Sequence, residues 1–251
     1  MHAVLIVVSL AAFSMPRATA QVATHSCSSL PLATFSYDRA LPLDVRDSVA
    51  KTQDGVEIHA ISFASPRGGR ATGLLIVDLQ RAFDLLIGRP DVDVRRLAFI
   101  GRTYGAAIGG LLAGVEHRPR TYVLIVGDGG LVTHYSARSR RAELDRLSGE
   151  RRERWLAAMR PIEPIRFVGC AKGASFFFQA ARKDELVTVN DAVAFQRAAP
   201  KPRVVRWYDL EHNLGWPAII DELDWLHRSL GTAPAGPQAD MWCATKERCP
   251  D

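Results

Sequence analysis

From about Val56 the chain alternates short apolar runs with longer segments of helical periodicity, and few folds accommodate this alternation. Apolar runs predict strands at residues 56–63, 74–77, 97–100, 122–126, 175–181 and 203–209. Amphipathic or small-residue stretches predict helices at residues 78–87, 106–116, 136–159, 190–199 and 217–230. Asn190 is expected to cap the fourth of these helices. The pattern is typical of an α/β protein with a mostly parallel sheet, and residues 51–231 are expected to form one domain.

Composition excludes several classes of protein. The chain has 251 residues, 47% of them hydrophobic and 24% charged, which excludes an intrinsically disordered protein. The net charge of +5 is spread among interspersed acids, so no nucleic-acid partner is expected. The arginine-rich run at 138–154 is interpreted as a solvated helix face, because acids lie at pairing distance along it. No His or Cys spacing suggests a metal site, and no cofactor is expected.

The two ends of the chain differ from the middle. The apolar run at residues 3–13 is too short to span a bilayer and precedes the small residues Ala18-Thr19-Ala20, so residues 1–20 are predicted to be a signal peptide. Only His2 precedes the run, without Lys or Arg, which leaves open a buried N-terminal strand or a misassigned start. A secreted or periplasmic chain is expected, with no membrane span after cleavage. Residues 21–50 form an N-terminal arm and residues 232–251 a polar tail.

The four cysteines fit an exported protein without defining its disulfides. Cys243 and Cys249 lie in the polar tail, where a small disulfide loop would explain them. Cys27 lies in the equally irregular arm and is an alternative partner for that tail. Cys170 adjoins an apolar strand and is interpreted as a buried thiol.

Three chemically active side chains each follow the carboxyl end of a predicted strand: Thr103, Asp184 and His212. Ligands and catalytic groups of open α/β sheets lie at this edge. A hydroxyl in a Gly-x-Thr-x-Gly turn, then an acid, then a histidine is the chain order of an α/β-hydrolase triad. A neutral histidine can take the proton of a hydroxyl nucleophile, and a carboxylate fixes the tautomer of that histidine. The backbone N–H of Tyr104 is the expected oxyanion donor.

Residues 91–130 resemble the nucleophile region of bacterial α/β-hydrolases of the dienelactone-hydrolase and acetyl-esterase-like kind, whose usual elbow is Gly-His-Ser-Tyr-Gly. The stretches SFFFQAARKDELVT and VVRWYDLEHNL are similar to the acid and histidine loops of that family, and the resemblance covers most of residues 35–231. It implies an ester hydrolase with an acyl-enzyme mechanism, a small ester substrate and no cofactor. Thr103 would be the nucleophile, His212 the base and Asp184 the orienting acid, with Asp128 an alternative acid. His117 and His134 are interpreted as surface residues.

Two features depart from the family pattern. Thr103 replaces the usual Ser, and a β-branched residue is strained in the positive-φ backbone of such an elbow. After residues 74–77, two strands and an oxyanion loop of the resembled family have no counterpart in this chain. In the strand numbering of that family, this predicts a reduced α/β-hydrolase fold with sheet order 1-2-5-6-7-8, in which the strand at 74–77 pairs with the strand at 97–100. The alternative function is a catalytically impaired or inactive hydrolase-fold protein that acts as a binding module or is a truncated product.

Overall fold

The computed structural model describes residues 27–53, 56–66, 70–71, 76–136 and 141–234. The strands in these residues are β1 Arg46–Gln53, β2 Val56–Ala64, β3 Arg70–Ala71, β4 Ala98–Arg102, β5 Thr121–Ile125, β6 Ser175–Ala181 and β7 Arg203–Tyr208. The α-helices are α1 Ile76–Ile87, α2 Tyr104–Val115, α3 Val132–Ser136, α4 Arg141–Asp145, α5 Gly149–Met159, α6 Pro164–Val168, α7 Val189–Ala198 and α8 Gly215–Leu230. Short 3₁₀ turns lie at Cys27–Ser29, Leu32–Phe35, Val94–Arg96 and Arg160–Ile162.

Strands β4 to β7 form a four-stranded parallel sheet in chain order. Every residue of β5 is buried, whereas Ile100 of β4 and Val204 of β7 are exposed, as expected for inner and outer strands. The carboxyl ends of all four strands meet at one edge of this sheet. The prediction of an α/β fold with a mostly parallel sheet of reduced strand number is confirmed.

The predicted sheet order is wrong. β2 pairs antiparallel with β1 and with β3 in a separate three-stranded sheet, so it does not continue the parallel one. Its sequence alternates apolar and polar residues, a pattern typical of antiparallel strands with one solvated face rather than of inner parallel strands. The predicted strand at 74–77 is also wrong where the structure describes it, because Ile76 and Val77 begin α1. A short apolar run that leads into a helix has no periodicity of its own, so the sequence does not distinguish a buried strand from the first turn of the helix.

Two predictions about the helices, one of a single long helix and one of a cap, also differ from the structure. The charged segment 136–159 is not one helix: α4 ends at Asp145 and α5 begins at Gly149, where the Ser148 side chain caps α5 by accepting from the Arg151 N–H. Helix α7 begins one residue before Asn190, and its cap is Thr188, whose side chain accepts from the Asp191 N–H at 3.1 Å. Within the described residues, no helix has both the length and the apolar character that crossing a bilayer requires.

Alternate residues of the parallel strands pack against helices on opposite faces of the sheet. On one face Tyr122 and Phe176 stack and join the buried residues of α1, α2, α6 and α7. On the other face Val123 and Phe177 pack against α8, where Trp225 stacks on Phe177 with ring centroids 5.2 Å apart. Burying each such side chain contributes about 1.5–3 kcal/mol to the free energy of unfolding. The apolar clusters therefore stabilise the parallel sheet on both of its faces.

A network of charged side chains attaches the segment before β1 to α1. Asp84 accepts hydrogen bonds from Tyr37 and Arg81, at 2.7 and 3.0 Å, and pairs with Arg118. Arg118 also pairs with the buried Glu116. Burial alone would raise the pKa of Asp84, but the hydrogen bonds from Tyr37 and Arg118 outweigh it and hold that pKa below its ordinary value.

A disulfide joins Cys27 to Cys170, with Cα atoms 5.7 Å apart. The interpretation of Cys170 as a free thiol is therefore wrong, although Cys170 is buried as expected. The alternative pairing of Cys27 with a cysteine of the tail is also wrong. Spacing along the chain cannot distinguish among the pairings that four cysteines allow. Cys243, Cys249 and the predicted signal peptide lie outside the described residues.

Candidate active site

Thr103 occupies a sharp turn between β4 and α2 with φ 55° and ψ −115°. Its N–H donates to the Ile125 carbonyl at 2.8 Å, and its own carbonyl accepts from the Ala106 N–H at 3.0 Å. A Cβ on Gly101 would lie 2.2 Å from the Gly105 carbonyl oxygen, so the first glycine of the motif lets strand and helix approach closely. Such a backbone costs a threonine about 1–3 kcal/mol, and the surrounding hydrogen bonds hold it in place.

The structure brings the three predicted residues together. The Thr103 Oγ1 lies 2.7 Å from the His212 Nε2. On the other side of the imidazole, the His212 Nδ1 lies 2.9 and 3.0 Å from the two carboxylate oxygens of Asp184. These are hydrogen-bond distances at both ring nitrogens, so one continuous chain connects the hydroxyl to the carboxylate.

The loop after β6 holds Asp184 in its orientation. The Asp184 Oδ1 accepts from the Leu186 and Val187 N–H groups at 2.8 and 3.0 Å. Its side chain is 1% exposed, whereas that of His212 is 25% exposed. A buried carboxylate fixed by two backbone donors fixes in turn which nitrogen of His212 carries a proton, and the more exposed imidazole remains accessible to a substrate.

A cavity of about 140 Å³ lies beside Thr103. Its lining includes Thr103 and Tyr104 from the elbow, Asp128 and His134 from the segment after β5, and Tyr135. Tyr104 is the first residue of α2, where a backbone N–H has no carbonyl partner within its own helix and the helix dipole favours negative charge. This N–H is the predicted oxyanion donor. Burial, with a smaller effect of Tyr135, raises the pKa of the Tyr104 phenol above its ordinary value.

A second aspartate–histidine pair contributes to the same cavity. The Asp128 Oδ2 lies 2.7 Å from the His134 Nδ1. The interpretation of His134 as a surface residue is wrong, because its side chain is 15% exposed and lines the cavity. Asp128, considered as an alternative triad acid, pairs with His134, and it is Asp184 that pairs with His212. The one feature of the sequence that pointed to this pair was the position of Asp128 just after a predicted buried strand. His117 is exposed, as interpreted.

No set of three or more His, Cys, Asp or Glu side chains that could hold a metal ion occurs among the residues that the structure describes. The polar groups at the site include the Thr103 hydroxyl, two imidazoles, two carboxylates and a helix N-terminus. This set supports proton transfer and nucleophilic attack by the protein's own side chains.

Comparison with known proteins gives structural similarity alone. No protein-family profile and no curated protein sequence matches the chain. Acetyl xylan esterase 1 from a Thermoanaerobacterium species aligns with a TM-score of 0.61 at 12% identity, over 76% of this chain and 90% of that one. An acetyl xylan esterase from a Paenibacillus species gives 0.59 at 12% identity, over 79% and 91%. A 2,6-dihydroxy-pseudo-oxynicotine hydrolase gives 0.54 at 13% identity, over 75% and 68%.

These similarities define the class of fold. The parallel sheet, the strand–turn–helix elbow and the alignment with esterases and hydrolases along most of the chain together show that this protein has the α/β-hydrolase fold. The α/β-hydrolase resemblance inferred from the sequence is confirmed at the level of the fold. Identities of 12–13% carry no activity from those proteins to this one.

Proposed function

We propose that the protein hydrolyses small carboxylic esters through an acyl-enzyme intermediate on Thr103. The observation that carries the proposal is the chain of hydrogen bonds from the Thr103 hydroxyl through His212 to Asp184, with heavy-atom distances of 2.7 to 3.0 Å. A hydroxyl, an imidazole and a buried carboxylate in this geometry form the arrangement that activates an alcohol as a nucleophile.

The proposed reaction has two halves. In the first, Thr103 Oγ1 attacks the ester carbonyl carbon while its proton passes to the His212 Nε2, and the tetrahedral intermediate expels the alcohol, which takes the proton from the same nitrogen. In the second, water attacks the acyl-Thr103 ester, His212 accepts the water proton, and the proton returns to Oγ1 as the acid leaves. Asp184 stays ionised throughout and stabilises the imidazolium.

The size of the cavity supports a small acyl group. A volume of about 140 Å³ is well below the 300–1,000 Å³ usual for drug-sized ligands. The Tyr104 N–H is the proposed donor to the oxyanion, aided by the N-terminus of α2. Two of the neighbours carry the name acetyl xylan esterase, which supports a short acyl chain.

The test is hydrolysis of p-nitrophenyl acetate by the wild type, Thr103→Ala, Thr103→Ser and His212→Ala. Turnover is expected in the wild type, higher turnover in Thr103→Ser and none above background in the two alanine variants. A fluorophosphonate probe should label the wild type on Thr103, as intact-mass and peptide analysis would show. Glu153→Ala is a matched control, because this exposed residue lies on α5 away from the cavity. Equal rates in wild type and Thr103→Ala would refute the proposal.

A non-catalytic binding protein is the second candidate. The described residues contain four parallel strands, and the block that carries an oxyanion loop in the resembled family is not found between α1 and β4. Losing one oxyanion donor typically costs about 10²–10³ in rate. A folded wild type that neither hydrolyses the ester nor reacts with the probe would favour this candidate.

Export from the cytoplasm is also part of the proposal. The disulfide between Cys27 and Cys170 supports it, since such bonds persist in oxidising compartments. N-terminal sequencing of the protein from the periplasm or medium of a bacterial host is expected to begin at Gln21. Recovery from the cytoplasm alone, with residues 1–20 intact, would contradict it.

A further inference from the structure

The pair formed by Asp128 and His134 has the same kind of hydrogen bonding as the pair formed by Asp184 and His212: a buried carboxylate accepts from backbone N–H and lies at hydrogen-bond distance from the imidazole Nδ1. Asp128 is 5% exposed, and its Oδ2 lies 2.7 Å from the His134 Nδ1. The Asp128 Oδ1 accepts from the Gly130 N–H at 3.0 Å, so both carboxylate oxygens are occupied. The ring of His134 packs edge-on against Tyr135 with centroids 5.5 Å apart. The triad proposed above does not use this pair.

The backbone around the pair is fixed on both sides. Val126, between β5 and Asp128, has φ 45°, an unfavourable value for a β-branched residue. Helix α3 carries His134, and its first turn is held by the buried Glu163, whose carboxylate accepts from the Leu131, Val132 and Thr133 N–H groups at 2.8 to 3.1 Å. A strained strand end and a buried carboxylate therefore determine where the imidazole lies.

The hydrogen bond to Asp128 determines what His134 offers to the cavity. An ionised carboxylate only accepts, so the proton of the neutral imidazole lies on Nδ1 and Nε2 carries a lone pair. The Nε2 has no hydrogen-bond partner in the part of the chain that the structure describes. This nitrogen can accept a hydrogen bond from a donor on a ligand in exchange for one from water.

The position of His212 indicates which part of the ester would supply that donor. The departing alcohol takes its proton from the His212 Nε2 and must lie beside it. His212 is not among the residues that line the cavity, whereas Tyr104, the proposed oxyanion donor, and His134 are. The cavity therefore corresponds to the acyl side of the substrate.

We propose that His134, oriented by Asp128, accepts a hydrogen bond from a hydroxyl on the acyl group, which makes the preferred substrates esters of small hydroxy acids. The inference rests on the proposed esterase function. His134 is a specificity residue here, and Asp128 is its positioning residue.

The test compares methyl glycolate with methyl propionate, which carry an OH and a CH₃ at the same position, by titration of released acid. Each rate is divided by the hydroxide-catalysed rate of that ester, so that the electronic effect of the hydroxyl cancels. The corrected kcat/KM ratio of glycolate to propionate is expected to be about ten in the wild type, near one in His134→Leu and Asp128→Asn, and partly restored in His134→Gln, whose amide oxygen can accept.

Binding of the unreactive amides glycolamide and propionamide, followed by ligand-detected NMR on the wild type and on His134→Leu, separates this inference from the esterase proposal. Preferential binding of glycolamide that His134→Leu abolishes supports the hydroxyl site even if no ester is hydrolysed. Hydrolysis of both esters with a ratio that His134→Leu leaves unchanged would overturn the hydroxyl site and leave the esterase proposal standing. Equal binding of the two amides by the wild type would overturn it as well.

Discussion

The backbone strain at Thr103 predicts that glycine is more stable than alanine at this position. At an ordinary site, Gly is less stable than Ala by about 0.5–1 kcal/mol because the unfolded chain gains freedom. At φ 55° and ψ −115° a Cβ costs about 1–3 kcal/mol, and this strain disappears in Thr103→Gly. Both variants lose the hydrogen bond to His212, so it cancels in the comparison. The difference is about 1 kcal/mol in favour of Thr103→Gly.

The assay is urea unfolding of Thr103→Gly and Thr103→Ala at one pH, supported by thermal unfolding. A difference of about 1 kcal/mol corresponds to roughly 2–4 °C in Tm for a chain of this size. Glu153→Gly and Glu153→Ala in the exposed part of α5 provide the matched control, where Ala is expected to be more stable by about 1 kcal/mol. If Ala were the more stable residue at both positions, the elbow would not be strained and the handicap assigned to a β-branched nucleophile would have no basis.

Four further predictions concern the site and its supports. Asp184→Asn is expected to lower kcat about 10³–10⁴-fold in ester hydrolysis with little change in KM, because an amide stabilises the wrong tautomer of the imidazole; a loss below tenfold would contradict this. Glu163→Gln is expected to lower the free energy of unfolding by about 2 kcal/mol in urea, since three backbone donors lose a charged acceptor. The double variant Cys27→Ser, Cys170→Ser is expected to lose about 4–5 kcal/mol for a closed loop of 143 residues, and a loss below 1 kcal/mol would count against the bond. Because the folded pKa of Asp84 is depressed, its contribution to stability is present above its unfolded pKa near 4 and is lost as the pH falls through the folded value. In Asp84→Asn, the free energy of unfolding measured in urea is therefore expected to fall less steeply between about pH 5 and pH 2 than in the wild type.

The elements that the sequence predicted best are those whose side chains carry the signal. Strand β6 begins and ends as predicted, since its apolar run is buried along nearly its whole length. The three side chains of the proposed triad were found because each follows the end of such a strand, where topology brings loops together. The catalytic role of these residues stays a prediction.

Other features depend on contacts that no local pattern encodes. Strand β1, within RDSVAKTQ, has little apolar periodicity and is defined by backbone pairing with β2. The partner of Cys27 lies 143 residues away, at a distance over which spacing carries no information. His134 is positioned by Glu163, which lies about 30 residues later in the chain. In each case the deciding contact joins distant segments.

The reduced sheet is compatible with an intact site because of where each group originates. The hydroxyl follows β4, the acid follows β6 and His212 follows β7, while β5 leads into Asp128 and the cavity. Every group of the proposed mechanism therefore lies shortly after the carboxyl end of a strand of the parallel sheet. The two strands that the resembled family has in addition would supply the outer oxyanion donor and none of the proton-transfer groups. Loss of that block would thus lower the rate by weakening oxyanion stabilisation, while the geometry of hydroxyl, imidazole and carboxylate would stay as it is.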